Sequence, residues 1–184
     1  MGRIALLWDG RNTIFQKYLL VKGYKSDVIS DPHVLSLVSY KLVIVPSGFG
    51  NNMYSNMLKQ LRAGRIIIER FVRAGGILVA CGSISDDERA YDWLPQTIHL
   101  RYRLGFERTR IETVSNHAAT SLVEADECMC DGFFEFVDGA EVLLKGNKRP
   151  ILVASDIGKG EIIATTIHEF PSTRFISYCL ARVS

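Results

Sequence analysis

Gly75-Gly76-Ile77-Leu78-Val79-Ala80-Cys81-Gly82-Ser83-Ile84-Ser85 decides how the rest of the chain is read. The two glycines stop a preceding helix. Ile77 to Cys81 is a run of small and apolar residues without polar alternation, as expected of a strand buried on both faces. Cys81 ends that strand, and Gly82 and Ser83 turn the chain away from it. The carboxyl end of a central parallel strand is where open α/β sheets place their ligands. Cys81 is therefore the first candidate for chemistry.

Two further apolar runs lie upstream, Arg3 to Trp8 and Lys41 to Pro46, with a weaker strand at Tyr24 to Ile29. Asp9 to Asn12 is turn chemistry, and Thr13 is placed to cap a helix that Gly23 ends. Asp31-Pro32 opens a short helical turn. Ser47 to Asn52 follows the third strand, and its two glycines permit positive φ and close backbone approach to a ligand. Met53 to Ala74 reads as a helix or a helix pair broken at Gly64. Strands alternating with helices predict βαβ units. Ile4, Leu6, Val43, Val45, Leu78 and Val79 are expected inside a parallel sheet.

Beyond Cys81 the pattern changes. Ser85-Asp86-Asp87-Glu88 has capping-box form and predicts a short helix from Asp86. Thr97 to Arg103 and Arg108 to Val114 alternate as strands do. Asn116 to Ala125 reads as a loop with one helical turn. The stretch from Ser85 to Phe133 is expected to be irregular and to lie over the carboxyl edge of the sheet. Val142 to Lys145, Ile151 to Ser155 and Glu161 to Thr166 are strands. Pro171-Ser172 opens a final helix with Phe175, Ile176, Cys179 and Leu180 on its apolar face.

At 184 residues the chain is expected to form one domain, residues 1–184, with a substantial core. A net charge of +2 with scattered basic residues does not point to nucleic acid, and no apolar run is long enough to span a membrane. The chain opens directly into a strand, without a signal-peptide pattern. The four cysteines, Cys81, Cys128, Cys130 and Cys179, do not resemble a disulfide framework, so a reducing, cytoplasmic setting is expected. Cys128-Met129-Cys130 lacks the second ligand pair of a structural zinc site, and neither a metal nor a cofactor is expected.

His168 follows the Glu161–Thr166 strand and is placed to act as a base to Cys81. His33, His99 and His117 have no such placement.

The segments KLVIVPSGFG, RFVRAGGILVACGS and GKGEIIATTIHEFPS, in this order and spacing, resemble the class I glutamine amidotransferase-like superfamily. The likeness is nearest in style to trehalose-utilisation-type proteins and to the amino-terminal domain of some biotin-protein ligases. It implies a flavodoxin-like three-layer α/β sandwich with a mostly parallel central sheet and an antiparallel C-terminal extension. It also implies a cysteine-dependent amide hydrolase or amidotransferase, with Cys81 as nucleophile and His168 as base. Gly48 and Gly82 would supply oxyanion-hole amides, with Phe49, Gly50 and Ser83 beside the substrate. The family's ring-orienting glutamate stands two residues after the histidine. Here Phe170 holds that position and Glu169 is the adjacent carboxylate. The competing reading is a non-catalytic binding or assembly module that keeps the pocket. The expected partner is a small amide or other polar molecule, with no nucleic acid, no membrane, and self-association into a homo-oligomer left open.

Overall fold

The computed structural model describes residues 3–10 and 14–182. The expected turn at Arg11-Asn12 and the cap at Thr13 lie outside them. The parallel strands are β1 (Ile4–Leu7), β2 (Ser26–Ile29), β3 (Leu42–Val45) and β4 (Ile77–Ala80). They pair in the order β2-β1-β3-β4, all parallel, as the continuous apolar runs predict. Alternate residues of these strands feed two separate cores. Ala5, Val43, Val45 and Leu78 face one side. Met57 and Leu61 of α2 (Met57–Ala63) and Ile68 and Val72 of α3 (Arg65–Arg73) cover them. Ile4, Leu6, Ile44 and Val79 face the other side. Phe15 and Leu19 of α1 (Ile14–Val21) and Phe175, Ile176 and Cys179 of α4 (Thr173–Ala181) cover those. Burial on both faces is the reason these strands show no polar alternation.

Gly64 separates α2 from α3, and Gly75 follows α3 with φ +111°, a conformation that a side chain would resist. Asp31 caps a single 3-10 turn at Pro32–Ser36, and Ser172 caps α4 by accepting the Phe175 N–H at 3.1 Å.

The second half of the sheet departs from the flavodoxin-like expectation. β9 (Gly160–Thr165) joins β4 in parallel. From there β8 (Arg149–Ile157), β7 (Glu141–Gly146), β5 (His99–Thr113) and β6 (Glu127–Asp138) continue antiparallel. The result is a mixed nine-stranded sheet, β2-β1-β3-β4-β9-β8-β7-β5-β6, rather than a mostly parallel one.

Two expectations for residues 85–133 change. No helix starts at Asp86. Ser85 Oγ accepts the Asp87 N–H and Asp87 Oδ1 accepts the Arg89 N–H, each at 3.0 Å, which builds consecutive turns. Glu88, which would complete the capping box, instead pairs with Arg103 at 2.9 Å. The two alternating stretches after Thr97 are one fifteen-residue strand, β5, with irregular register at Arg101/Tyr102 and Leu104/Glu107. Most of the segment is therefore a long β-hairpin. It does reach the carboxyl edge: the Asp131 N–H donates to Thr166 O at 2.7 Å and the His168 N–H donates to Met129 O at 2.8 Å.

No helix among the described residues is long and apolar enough to cross a membrane.

Candidate functional site

The carboxyl ends of β3, β4 and β9 stand level, because Val45 pairs with Ala80 and Ala80 with Ala164. Three chain segments leave from this edge. Ser47 to Asn52 follow β3, Cys81 to Ser85 follow β4, and Thr166 to Phe170 follow β9. The middle of β6 crosses above them and contributes Asp131.

Cys81 sits where the sequence predicts, but in a closed setting. Its N–H donates to Val45 O at 3.0 Å and its carbonyl accepts from the Tyr91 hydroxyl at 2.7 Å. The residue is buried, and burial pushes its thiol pKa up to about 12, with the negative charge of Asp131 adding to the rise. A nucleophilic cysteine needs the opposite environment, a nearby cation or helix amino terminus that favours thiolate. Among the described residues no cation is among the causes acting on the thiol, and the chain after Cys81 forms turns rather than a helix.

His168 lies on the same edge, and its ring Nδ1 is 2.7 Å from Asp131 Oδ1. Among the described residues no hydrogen bond joins the imidazole to the Cys81 sulfur; the charged neighbour that acts on Cys81 is Asp131. The Asp131 carboxylate is fully buried while much of the His168 side chain remains exposed. Burial raises the Asp131 pKa, and His168 opposes the rise. A buried carboxylate on Nδ1 fixes the orientation of the ring and leaves Nε2 for another partner.

Glu169 does not join the cluster. Its Oε1 accepts the Met129 N–H at 2.7 Å, tying the chain after β9 to β6. Phe170, which stands at the position of the family's glutamate, stacks on Tyr18 with ring centroids 4.5 Å apart and lies edge-on to Phe15 at 5.2 Å. It is a packing residue that seats α1.

The loop after β3 is folded inward. Gly48 has φ +93°, and its N–H donates to Gly82 O at 2.8 Å; the Gly50 N–H donates to Ser83 O at 3.0 Å. The Gly48 amide that the resemblance assigns to an oxyanion hole is therefore engaged by the loop carrying Gly82. Phe49 is fully buried against Tyr91 and Trp93. A Cβ on Gly82 would come within 2.5 Å of Asp131 Oδ2, so only glycine lets the carboxylate approach this closely. Among the described residues, three buried polar atoms on this edge, Ser83 Oγ, Asp131 Oδ2 and Thr166 Oγ1, lack a hydrogen bond of ordinary geometry. Asp131 is the site residue that sequence reasoning misses: it lies within an ordinary strand pattern, and only the return of the β5–β6 hairpin brings it to His168.

Cys128 and Cys130 share one face of β6 with their sulfurs 3.7 Å apart, both buried. Among the described residues no group of three His, Cys, Asp or Glu side chains is arranged to hold a metal ion.

No protein-family model and no curated protein sequence matches the chain. Solved structures do. PurLQS from Thermotoga maritima superposes with a TM-score of 0.64 at 12% identity, covering 98% of this chain and 98% of that one. A cytoplasmic protein from Salmonella typhimurium gives a TM-score of 0.58 at 16% identity over 96% of this chain and 93% of its own. A ThuA-like protein from Bacteroides uniformis gives 0.56 at 14% identity over 97% and 87%. At such identities the likeness is one of fold, and its extent covers almost the whole chain.

Proposed function

We propose that this chain is an amidotransferase-like domain that has given up cysteine nucleophilic catalysis and serves as a binding module. Its ligand is a small polar molecule met by His168 at the carboxyl edge of the parallel strands. The observation that carries this reading is the Asp131 carboxylate, which binds the His168 ring and lies beside Cys81. Burial keeps the sulfur protonated, the carboxylate adds to that effect, and the same carboxylate gives the imidazole a partner other than the thiol. The likeness to a ThuA-like protein is consistent with the fold part of this reading.

The His168–Asp131 contact favours one second reading. A ring oriented at Nδ1 by a buried carboxylate is the arrangement of a general base, with Nε2 free to act on a water or a hydroxyl of the ligand. In that case His168 works without Cys81.

Incubation with glutamine separates both readings from the amidotransferase chemistry that the sequence resemblance implies. Ammonia release is expected to be indistinguishable between the protein and its Cys81→Ser variant. Release that is abolished in both Cys81→Ser and His168→Ala would establish the cysteine mechanism instead.

A further inference from the structure

Cys128 and Cys130 are alternate residues of β6, so their side chains leave the strand on the same face. Both are free and buried, and their sulfurs stand 3.7 Å apart. Among the described residues this is the one pair of thiols in contact. Two residues of strand advance about 6.6 Å, and a disulfide bridges Cα atoms up to about 6.8 Å apart. The strand spacing therefore admits a bond, at the long end of the range. To form it, the sulfurs close from 3.7 Å to about 2.05 Å, which draws the two Cβ atoms together and bows Met129 outward. Met129 is exposed and has room to move.

That movement falls on the contacts that seat His168. The Met129 N–H donates to Glu169 Oε1 at 2.7 Å, and the Met129 carbonyl accepts the His168 N–H at 2.8 Å. The Asp131 N–H donates to Thr166 O at 2.7 Å, and an isolated antiparallel bridge joins Cys130 to Ile167. Each of these links starts on a cysteine of the pair or on its neighbour in the chain. β6 is also the outermost strand of the sheet. Local opening of such a strand costs less than global unfolding and gives a small reagent a route to the buried sulfurs.

We propose that Cys128 and Cys130 form a reversible dithiol–disulfide pair, oxidised by a small-molecule disulfide, whose closure loosens the seat of His168. The Cys128 thiolate attacks one sulfur of the reagent and releases one thiol, leaving a mixed disulfide. Cys130 then attacks Cys128 Sγ and releases the second thiol. One protein S–S bond and two reagent S–H bonds replace two protein S–H bonds and one reagent S–S bond, and the reagent gains the two electrons that the protein loses. The Cys128 sulfur beside it, and then burial, push the Cys130 thiol up, which suits it to the second step rather than the first. A bond at the long end of the permitted spacing is of the labile kind that low-molecular-weight thiols reverse. The inference stands whatever ligand the His168 edge takes.

Incubation of the intact protein with cystamine, followed by alkylation of the remaining thiols and tryptic digestion, tests it. Residues 111–145 form one tryptic peptide that holds both cysteines and neither of the other two. That peptide is expected to escape alkylation and to be two hydrogens lighter than its dithiol form, before any change at Cys81 or Cys179. Dithiothreitol should restore the dithiol. In Cys130→Ser the same peptide should stop at a cysteamine adduct. In the oxidised protein, amide exchange at Asp131 and His168 is expected to quicken about tenfold, the loss of roughly one hydrogen bond, while the β1 and β3 amides keep their rates. No reaction at this peptide, cysteamine adducts alone in the unsubstituted protein, prior oxidation of Cys81 or Cys179, or unchanged exchange at both amides would overturn the proposal.

Discussion

Trp93→Ala is expected to lower the unfolding free energy by about 3–5 kcal/mol, the cost of emptying a large aromatic site that cannot fully collapse. Trp93 is fully buried, and its indole N–H donates to Ala90 O at 2.9 Å. It meets Phe49 edge to face at 5.8 Å, and Phe49 in turn meets Tyr91 at 5.4 Å. These three rings join the loop after β3 to the turns that follow Cys81, and the Tyr91 hydroxyl fastens them to the Cys81 carbonyl. No regular secondary structure holds residues 85–98 in place; aromatic packing fixes their inner side, while Arg62 pairs with Asp87 and Asp92, and Arg103 with Glu88, on the outside. Denaturant unfolding measures the loss. Trp93→Phe, which keeps an aromatic ring, should retain a substantial part of the stability. A loss below about 0.5 kcal/mol for the alanine variant, the ordinary range of surface changes, would mean that the segment does not close the edge as described.

Glu161→Ala is the second large effect, about 3 kcal/mol. Glu161 is the second residue of β9 and is fully buried, yet its carboxylate meets three side chains from outside the sheet. The Tyr178 hydroxyl donates to it at 2.8 Å, the Arg182 guanidinium pairs with it, and His117 Nε2 lies 3.1 Å away. Removing one member of a buried pair strands the other charge, at a cost of about 3–5 kcal/mol. The low end applies because about a quarter of the Arg182 side chain (26%) reaches solvent and because Arg182 keeps its contact with Asp156. Tyr178 and Arg182 sit at the carboxyl end of α4, so the damage should concentrate there. Hydrogen exchange of the α4 amides is expected to accelerate well before that of β3 and β4. Equal acceleration throughout would place the effect in global stability rather than in docking of the helix.

How much of this was legible in the sequence depended on whether a residue's neighbours are close along the chain. β1, β3 and β4 announce themselves because burial on both faces forces every position to be apolar. The break at Gly64 and the helical starts at Asp31-Pro32 and Pro171-Ser172 are local and are readable for the same reason. The helix expected at Asp86 failed because Ser85 and Asp87 satisfied nearby amides in successive turns, while Glu88 was drawn to Arg103 on a distant strand. His168 was placed at the right edge by its position after β9. Its partner was not readable, since Asp131 reaches it across thirty-seven positions through a hairpin whose path the alternation of β5 and β6 does not encode. Glu169 shows the same limit: its neighbour in sequence is His168, but its hydrogen bond is to Met129. The antiparallel pairing of β7 and β8 agrees with the C-terminal extension that the resemblance implies, whereas the addition of β5 and β6 to the same sheet is a tertiary outcome that the strand alternation does not carry.

The central claim is that Cys81 is a buried thiol beside a carboxylate and not a thiolate activated by His168. Alkylation of the folded protein across a range of pH, with the labelled peptides identified, tests it most directly because each of the four cysteines gives its own curve. The sign follows from the raised pKa: the neutral thiol is favoured at every ordinary pH, and thiolate accumulates only as the pH climbs toward about 12. Cys81 is therefore expected to stay essentially unlabelled through pH 9, a little above the free-thiol value near ~8.5, with a rate that does not change in His168→Ala. Rapid labelling of Cys81 with a midpoint below that free-thiol value, moved upward by His168→Ala, would contradict the account and restore the cysteine as a nucleophile.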